Sequence, residues 1–167
     1  MKPTITELIQ RLGLIPHPEG GFFREIFRSP LEWNEIPGKG TRNASTAIYF
    51  LLPAGVFSAF HRVKGADEVW HHYLGDPVEL HRISTQGEYT VTRLGKDMMN
   101  GEEPQVVIPA DMLQGAITLG NDFSLCGCTV APGFDFADFE MPPRTELLKT
   151  YPEHADIIRR LTLPHRG

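Results

Sequence analysis

Between Gly21 and Ala131 the sequence breaks into nine short runs of β-branched and aromatic residues: 21–29, 45–52, 56–63, 67–74, 77–84, 88–94, 105–110, 113–119 and 123–131. No segment between them has the length and periodicity of a crossover helix, so a parallel α/β sheet is excluded. Antiparallel strands remain. Thr85, Gln86 and Gly87 form a short, glycine-bearing link of the kind that closes a hairpin. Sixteen glycines and fourteen prolines supply the punctuation that many short strands need. The pattern predicts an all-β sandwich or jelly-roll barrel, in which closure would remove exposed strand edges.

Helical periodicity appears only at the ends. Ile5, Leu8, Ile9 and Leu12 fall on one helical face behind Thr4, a capping residue, and Gly13 ends the run. Leu147, Leu148, Ile157, Ile158 and Leu161 predict two short C-terminal helices broken at Pro152. At 167 residues, without a linker or repeat, the chain is expected to form one domain over residues 1–167.

The net charge of −5 gives no cationic footprint for nucleic acid or an anionic membrane. No stretch has the length of an apolar membrane span, and the first fourteen residues are too polar for a secretory signal core, so a cytoplasmic location is expected. Cys126 and Cys128, two apart on a strand, share a face and are expected to be buried and reduced.

The chemistry concentrates in residues 55–75. Gly55, His61, Glu68 and Gly75 stand at the offsets of the first cupin signature, a glycine, a His-x-His pair, a glutamate and a closing glycine. His61 ends one strand and Glu68 opens the next, which places both at the mouth of a barrel, on a hairpin. Three positions depart from the signatures: Val63 replaces the second histidine of the pair, and in Pro109–Ala–Asp111–Met–Leu–Gln114, set against the second signature Pro-x-Gly-x-x-His, Asp111 replaces the glycine and Gln114 the histidine. Four co-linear motifs, at residues 17–29, 45–52, 60–76 and 128–140, resemble one branch of the superfamily, the cupin-five type family of unknown function. That resemblance implies a double-stranded β-helix of the RmlC-like kind, a homodimer and an unassigned ligand pocket.

His61 suits three roles: metal ligand, acid–base catalyst or satisfied core histidine. Glu68 is its expected catalytic partner, because inward carboxylates are rarely buried unpaired. Tyr49, on a neighbouring run, is a phenolic acid or a packing residue. Strand alternation puts Trp70 and His72 on the Glu68 face as ligand-binding candidates, with Val69, His71 and Tyr73 opposite. Gln114 is a further ligand-binding candidate. In the His17–Ser29 segment, which also holds Glu19, the Gly20–Gly21 pair predicts a tight turn or a close backbone approach. Arg24 and Arg28 are expected on one strand face and Glu25 on the other, as a cationic rim for an acidic ligand or as plain surface ion pairs. Phe134, Phe136 and Phe139 alternate with acids, as in a flap or dimer seam.

A divalent metal on His61, Glu68 and Gln114 would be loosely held, since catalytic sites use about three strong protein ligands. The expected ligand is a polar, anionic small molecule such as a sugar, nucleotide sugar or organic acid. An isomerase- or epimerase-like enzyme, a non-catalytic binding or sensing module, and a storage protein with a plugged barrel all remain open.

Overall fold

The computed structural model describes residues 2–164. The chain runs α1 (Ile5–Leu12), β1 (Ile15–Pro16), β2 (Phe22–Arg28), β3 (Glu32–Ile36), β4 (Gly40–Asn43), β5 (Thr46–Pro53), β6 (Phe57–Val63), β7 (Asp67–Gly75), β8 (Val78–Ile83), β9 (Tyr89–Leu94), β10 (Gln105–Ile108), β11 (Leu113–Thr118), β12 (Phe123–Ala131), β13 (Phe139–Glu140), α2 (Arg144–Thr150) and α3 (Ala155–Arg160). All nine expected runs are strands. The short pieces β1, β3, β4 and β13 lack a sequence pattern of their own and owe their pairing to neighbours.

Two sheets carry the fold, ordered β1-β2-β5-β12-β7-β10 and β13-β6-β11-β8-β9, while β3 and β4 pair only with each other. The two large sheets face each other without closing into a continuous barrel. From β5 to β8 each successive strand crosses to the opposite sheet, so β6 and β7 are not the hairpin that the spacing of His61 and Glu68 implied. They face one another across the sandwich, joined by a corner at residues 64–66 with Gly65 at φ 59°. The β8–β9 hairpin forms as expected around Gly87 at φ 87°.

The core between the sheets holds Phe50, Leu52, Trp70, Leu80, Val106 and Ile108, with Cys126 and Cys128 buried as free thiols. A second layer, Phe60, Ile83, Leu113, Leu147 and Ile158, lies between the smaller sheet and the C-terminal helices. A third, Leu8, Leu14, Leu51 and Leu125, seals α1 against the outside of the larger sheet. Thr4 and Glu7 close a reciprocal capping box on α1, and Gly13 ends it at φ 63°. No helix among the described residues is long and apolar enough to cross a membrane.

Gly20 has φ 114°, and a Cβ there would overlap the carbonyl oxygen of Phe57. Gly38, at φ 75°, has open space around it. Gly20→Ala is therefore expected to lower unfolding stability by about 2 kcal/mol or more, and Gly38→Ala by about 1 kcal/mol from backbone strain alone. Urea unfolding of the two variants checks the contrast; equal losses would contradict the close approach at Gly20.

Candidate functional site

Three segments bring their side chains to one cavity. The tight turn at residues 17–21, held by His17 N–H on Gly21 O at 2.9 Å and Gly20 N–H on His17 O at 3.0 Å, turns Glu19 inward. Ala59 N–H donates to Glu19 O at 2.7 Å and fixes that turn on β6. His61 comes from β6 and Glu68 from β7. The wall is completed by His17, Phe23, Thr46, Ile48, Phe50, Val63, Cys128, Val130, Phe134 and Phe139. The space that a water-sized sphere can enter is about 40 Å³, room for on the order of three ordered waters.

His61 Nε2 lies 2.9 Å from Glu19 Oε2, and His61 Nδ1 lies 2.7 Å from Ala59 O. A carbonyl only accepts, so Nδ1 carries a proton; Nε2 then faces a carboxylate, and the ring is held as an imidazolium. Burial alone would push the imidazole down, but the Glu19 carboxylate and its hydrogen bond, with smaller help from Glu68 and Ala59 O, raise it to about 9. Burial likewise works against Glu19, yet His61 holds its carboxyl below the usual carboxylate range. Glu68 goes the other way: burial and the Glu19 charge raise it, against the pull of His61, Gln114 and Cys128. His17 accepts the Glu19 backbone N–H on Nδ1 at 3.1 Å, and burial lowers its proton affinity, so it is neutral.

Of the residues nominated from sequence, His61 and Glu68 meet in the cavity and the others do not line it. Gln114 stands behind Glu68. Trp70 Nε1, which only donates, gives its hydrogen to Gln114 Oε1 at 2.8 Å, and Gln114 Nε2 donates to Glu68 Oε2 at 2.5 Å. Trp70 itself is a core residue, edge-on to Phe50 at 5.4 Å. His72 is buried farther along β7, its Nε2 donating to Asp76 O at 2.8 Å. Tyr49 sits between Ile48 and Phe50, which line the cavity, so alternation turns it to the outer face, against Tyr73.

The cationic rim does not form. Arg24 Nη1 donates to Leu12 O at the end of α1, 3.0 Å away. An irregularity at Ile26 shifts the β2 register, so Glu25 and Arg28, expected on opposite faces, form an ion pair at 2.6 Å. Glu19 was the missed member. Its signal was the tight Gly20–Gly21 turn, which points a neighbouring side chain out of the strand plane and into the sandwich. Phe134 and Phe139, read as a flap or seam, close the cavity, and the Phe139 ring stacks on His61 at 5.4 Å.

The expected metal set does not assemble. Both nitrogens of His61 are engaged, Gln114 turns its amide NH₂ rather than its oxygen to Glu68, and no group of three or more histidine, cysteine, aspartate or glutamate side chains among the described residues is arranged to hold a metal. The lining also contains no lysine or arginine among the described residues, so an anionic ligand would meet two carboxyl groups against one imidazolium.

Strands that alternate between two facing sheets, around an inward histidine and glutamate at signature spacing, define a cupin. The chain belongs to the family described as Cupin superfamily (DUF985), whose profile matches residues 6–142. It is 34% identical to an uncharacterised protein of Saccharomyces cerevisiae, over 81% of this chain and 73% of that one. A solved structure of a Shewanella oneidensis protein is 37% identical, with a TM-score of 0.89 over 98% of this chain and 99% of that one. A hypothetical protein from Leishmania major is 32% identical, with a TM-score of 0.89 over 97% of this chain and 100% of that one.

Removing the partner carboxylate, as in Glu19→Gln, is expected to drop the His61 proton affinity well below about 9, because burial is then opposed only by the smaller pulls of Glu68 and Ala59 O. Nitrogen-detected imidazole titration by NMR reads this directly. His61 is raised above its ordinary 6.5, so its contribution to stability is complete below about pH 6.5 and fades as pH rises through about 9. Glu19, held below its ordinary 4.5, contributes above that pH and loses its contribution as pH falls through its folded value. Denaturation midpoints against pH should show both flanks in the native protein and lose them in Glu19→Gln.

Proposed function

We propose that the cavity binds a small, uncharged polar molecule of the sugar type, and that Glu68 moves a proton on it while the imidazolium of the His61–Glu19 pair stabilises the charge that develops, as in an isomerase or epimerase. One observation carries this reading: a carboxyl group with raised proton affinity and a fixed imidazolium face the same enclosed space. The two glutamates beside that imidazolium are shifted in opposite directions, Glu68 up and Glu19 down, and carboxyls tuned apart in one site are the pattern of proton-transfer chemistry near neutral pH. Glu68, ionised, takes a proton from carbon beside a carbonyl. The electron pair of that C–H bond passes to the carbonyl oxygen, whose growing negative charge the imidazolium stabilises. Glu68 then returns the proton to the former carbonyl carbon, while the hydroxyl proton of the first carbon passes to the former carbonyl oxygen and the electron pair of that O–H bond forms the new carbonyl. The anionic members of the expected ligand classes, organic acids and nucleotide sugars, are less well matched to a wall with two carboxyls.

A binding or sensing module is the second reading. It is favoured by His61, which has no free nitrogen to serve as a base, and by the small volume of the cavity. Turnover separates the two. Aldoses and ketoses incubated with the protein in D₂O are expected to lose the proton signal next to the carbonyl, and Glu68→Gln to slow this by about 10²- to 10⁴-fold. Stabilisation of the fold by a neutral sugar without exchange would assign the module; neither effect would overturn the ligand class.

The protein is further proposed to act as a homodimer. Ile26, Phe27, Leu31, Trp33 and Phe136, between 48% and 63% exposed, give it apolar surface to cover. Light scattering at micromolar concentration is expected to return twice the 18.7 kDa chain mass; a monomer mass would refute it.

A further inference from the structure

The cavity is shut. Glu19, His61 and Glu68 are 5%, 3% and 7% exposed, so a ligand larger than a few waters reaches them only if part of the wall moves. Most of the wall comes from β2, β5, β6, β7 and β12, each hydrogen-bonded along its length to a neighbouring long strand. The segment of residues 133–140 is different. It supplies Phe134 and Phe139 to the wall, and its only regular pairing is the two-residue β13 against Val63 and Arg62. Its start is tied down by Gly133 N–H on Asn43 O at 2.7 Å and Phe134 N–H on Thr46 Oγ1 at 2.9 Å.

Its middle is held at Asp138, whose backbone oxygen accepts from Lys64 N–H at 2.9 Å and whose side chain is clamped by two cations. Asp138, 4% exposed, accepts from Arg42 Nε at 2.9 Å and Arg42 Nη2 at 3.1 Å. Lys39 Nζ, also buried, meets the same carboxylate at 3.2 Å, within ion-pair range but without hydrogen-bond alignment. Burial opposes the ionised carboxylate, but Arg42 and Lys39 outweigh it and hold Asp138 below its ordinary range. Both cations belong to the β3–β4 hairpin, outside the two sheets that form the site. Arg42 is itself fixed by Lys39 O at 2.8 Å and Thr41 O at 2.9 Å. Asp138 immediately precedes Phe139, the ring that covers His61.

We infer that residues 134–139 are a lid over the cavity and that Asp138, clamped by Arg42 and Lys39, is the positioning residue that keeps it closed. The inference rests on the cavity being the ligand site, as proposed above, but not on the reaction performed there. An ion pair between a lid and a separate hairpin has two discrete states, engaged and released, whereas a packed strand has one. Ligand entry then requires the clamp to release, and Asp138 controls the rate of admission rather than the chemistry.

Cys128 lines the cavity while Cys126 is buried in the core outside it, which gives a direct test without a ligand. Two single-thiol proteins are made, Cys126→Ala to follow Cys128 and Cys128→Ala to follow Cys126, and native-state labelling by methyl methanethiolsulfonate is timed by mass spectrometry. Asp138→Asn is expected to speed labelling of Cys128 about tenfold or more and leave that of Cys126 unchanged, while Asp138→Glu restores much of the native rate. Equal acceleration at both thiols would mean general loosening and would overturn the lid. No acceleration at either would overturn it as well. Because labelling needs no turnover, a failed lid leaves the proton-transfer reading standing, and absent turnover leaves the lid standing.

Discussion

A buried imidazolium–carboxylate pair sets the terms for the rest of this molecule. Glu19 and His61 are each withdrawn from water, and an isolated charge in that position would be strongly unfavourable. Each is tolerable only because the other is at 2.9 Å and because backbone groups complete the arrangement. The turn at residues 17–21 must therefore dock on β6 at one height. The Gly20–Gly21 pair permits that approach, since a side chain at Gly20 would strike the β6 backbone. Geometry at the turn, charge in the cavity and the protonation of His61 are one coupled fact.

Glu68 is the group left outside that balance. Its neighbours are an amide, a thiol and the imidazolium already committed to Glu19, so burial dominates its behaviour. The protein positions it from the sheet opposite His61. The width of the sandwich at the Val63–Asp67 corner fixes how far the two groups stand apart, and the apolar cluster of Val63, Ala66 and Val130 fills that corner. A site built across two sheets is as rigid as their packing, which confines the movable part to the aromatic segment at its mouth.

Much of the fold was legible in the sequence because strand patterning and turn residues are local. The capped helix behind Thr4, the Gly87 hairpin and the nine long strands all follow from such signals. Half of the site was legible too, since His61 and Glu68 stand at signature spacing. Glu19 was not singled out because its partner is 42 positions away, counted from 61 minus 19, and only the folded chain brings them together. Of the roles the sequence leaves open, Tyr49 takes packing and Arg28 a surface ion pair: alternation turns Tyr49 outward between Ile48 and Phe50, and one irregular residue in β2 brings Glu25 beside Arg28. Asp111 shows the limit from the other side. It occupies the glycine position of the second cupin signature, and with φ 68° it adopts the left-handed backbone that the glycine would supply.

The chain of contacts from Trp70 through Gln114 to Glu68 gives the protein an optical property. The indole is wholly buried, and its one hydrogen-bond acceptor is an amide whose other end grips the carboxyl of the site. Any gain or loss of charge on Glu68 polarises that amide and changes the field along the indole dipole. The second indole, Trp33, lies half exposed on the β3–β4 hairpin, so its emission falls at the longer wavelengths of a hydrated ring. The blue component of the intrinsic fluorescence therefore belongs to Trp70, and it acts as a voltmeter wired to the carboxyl group of the cavity.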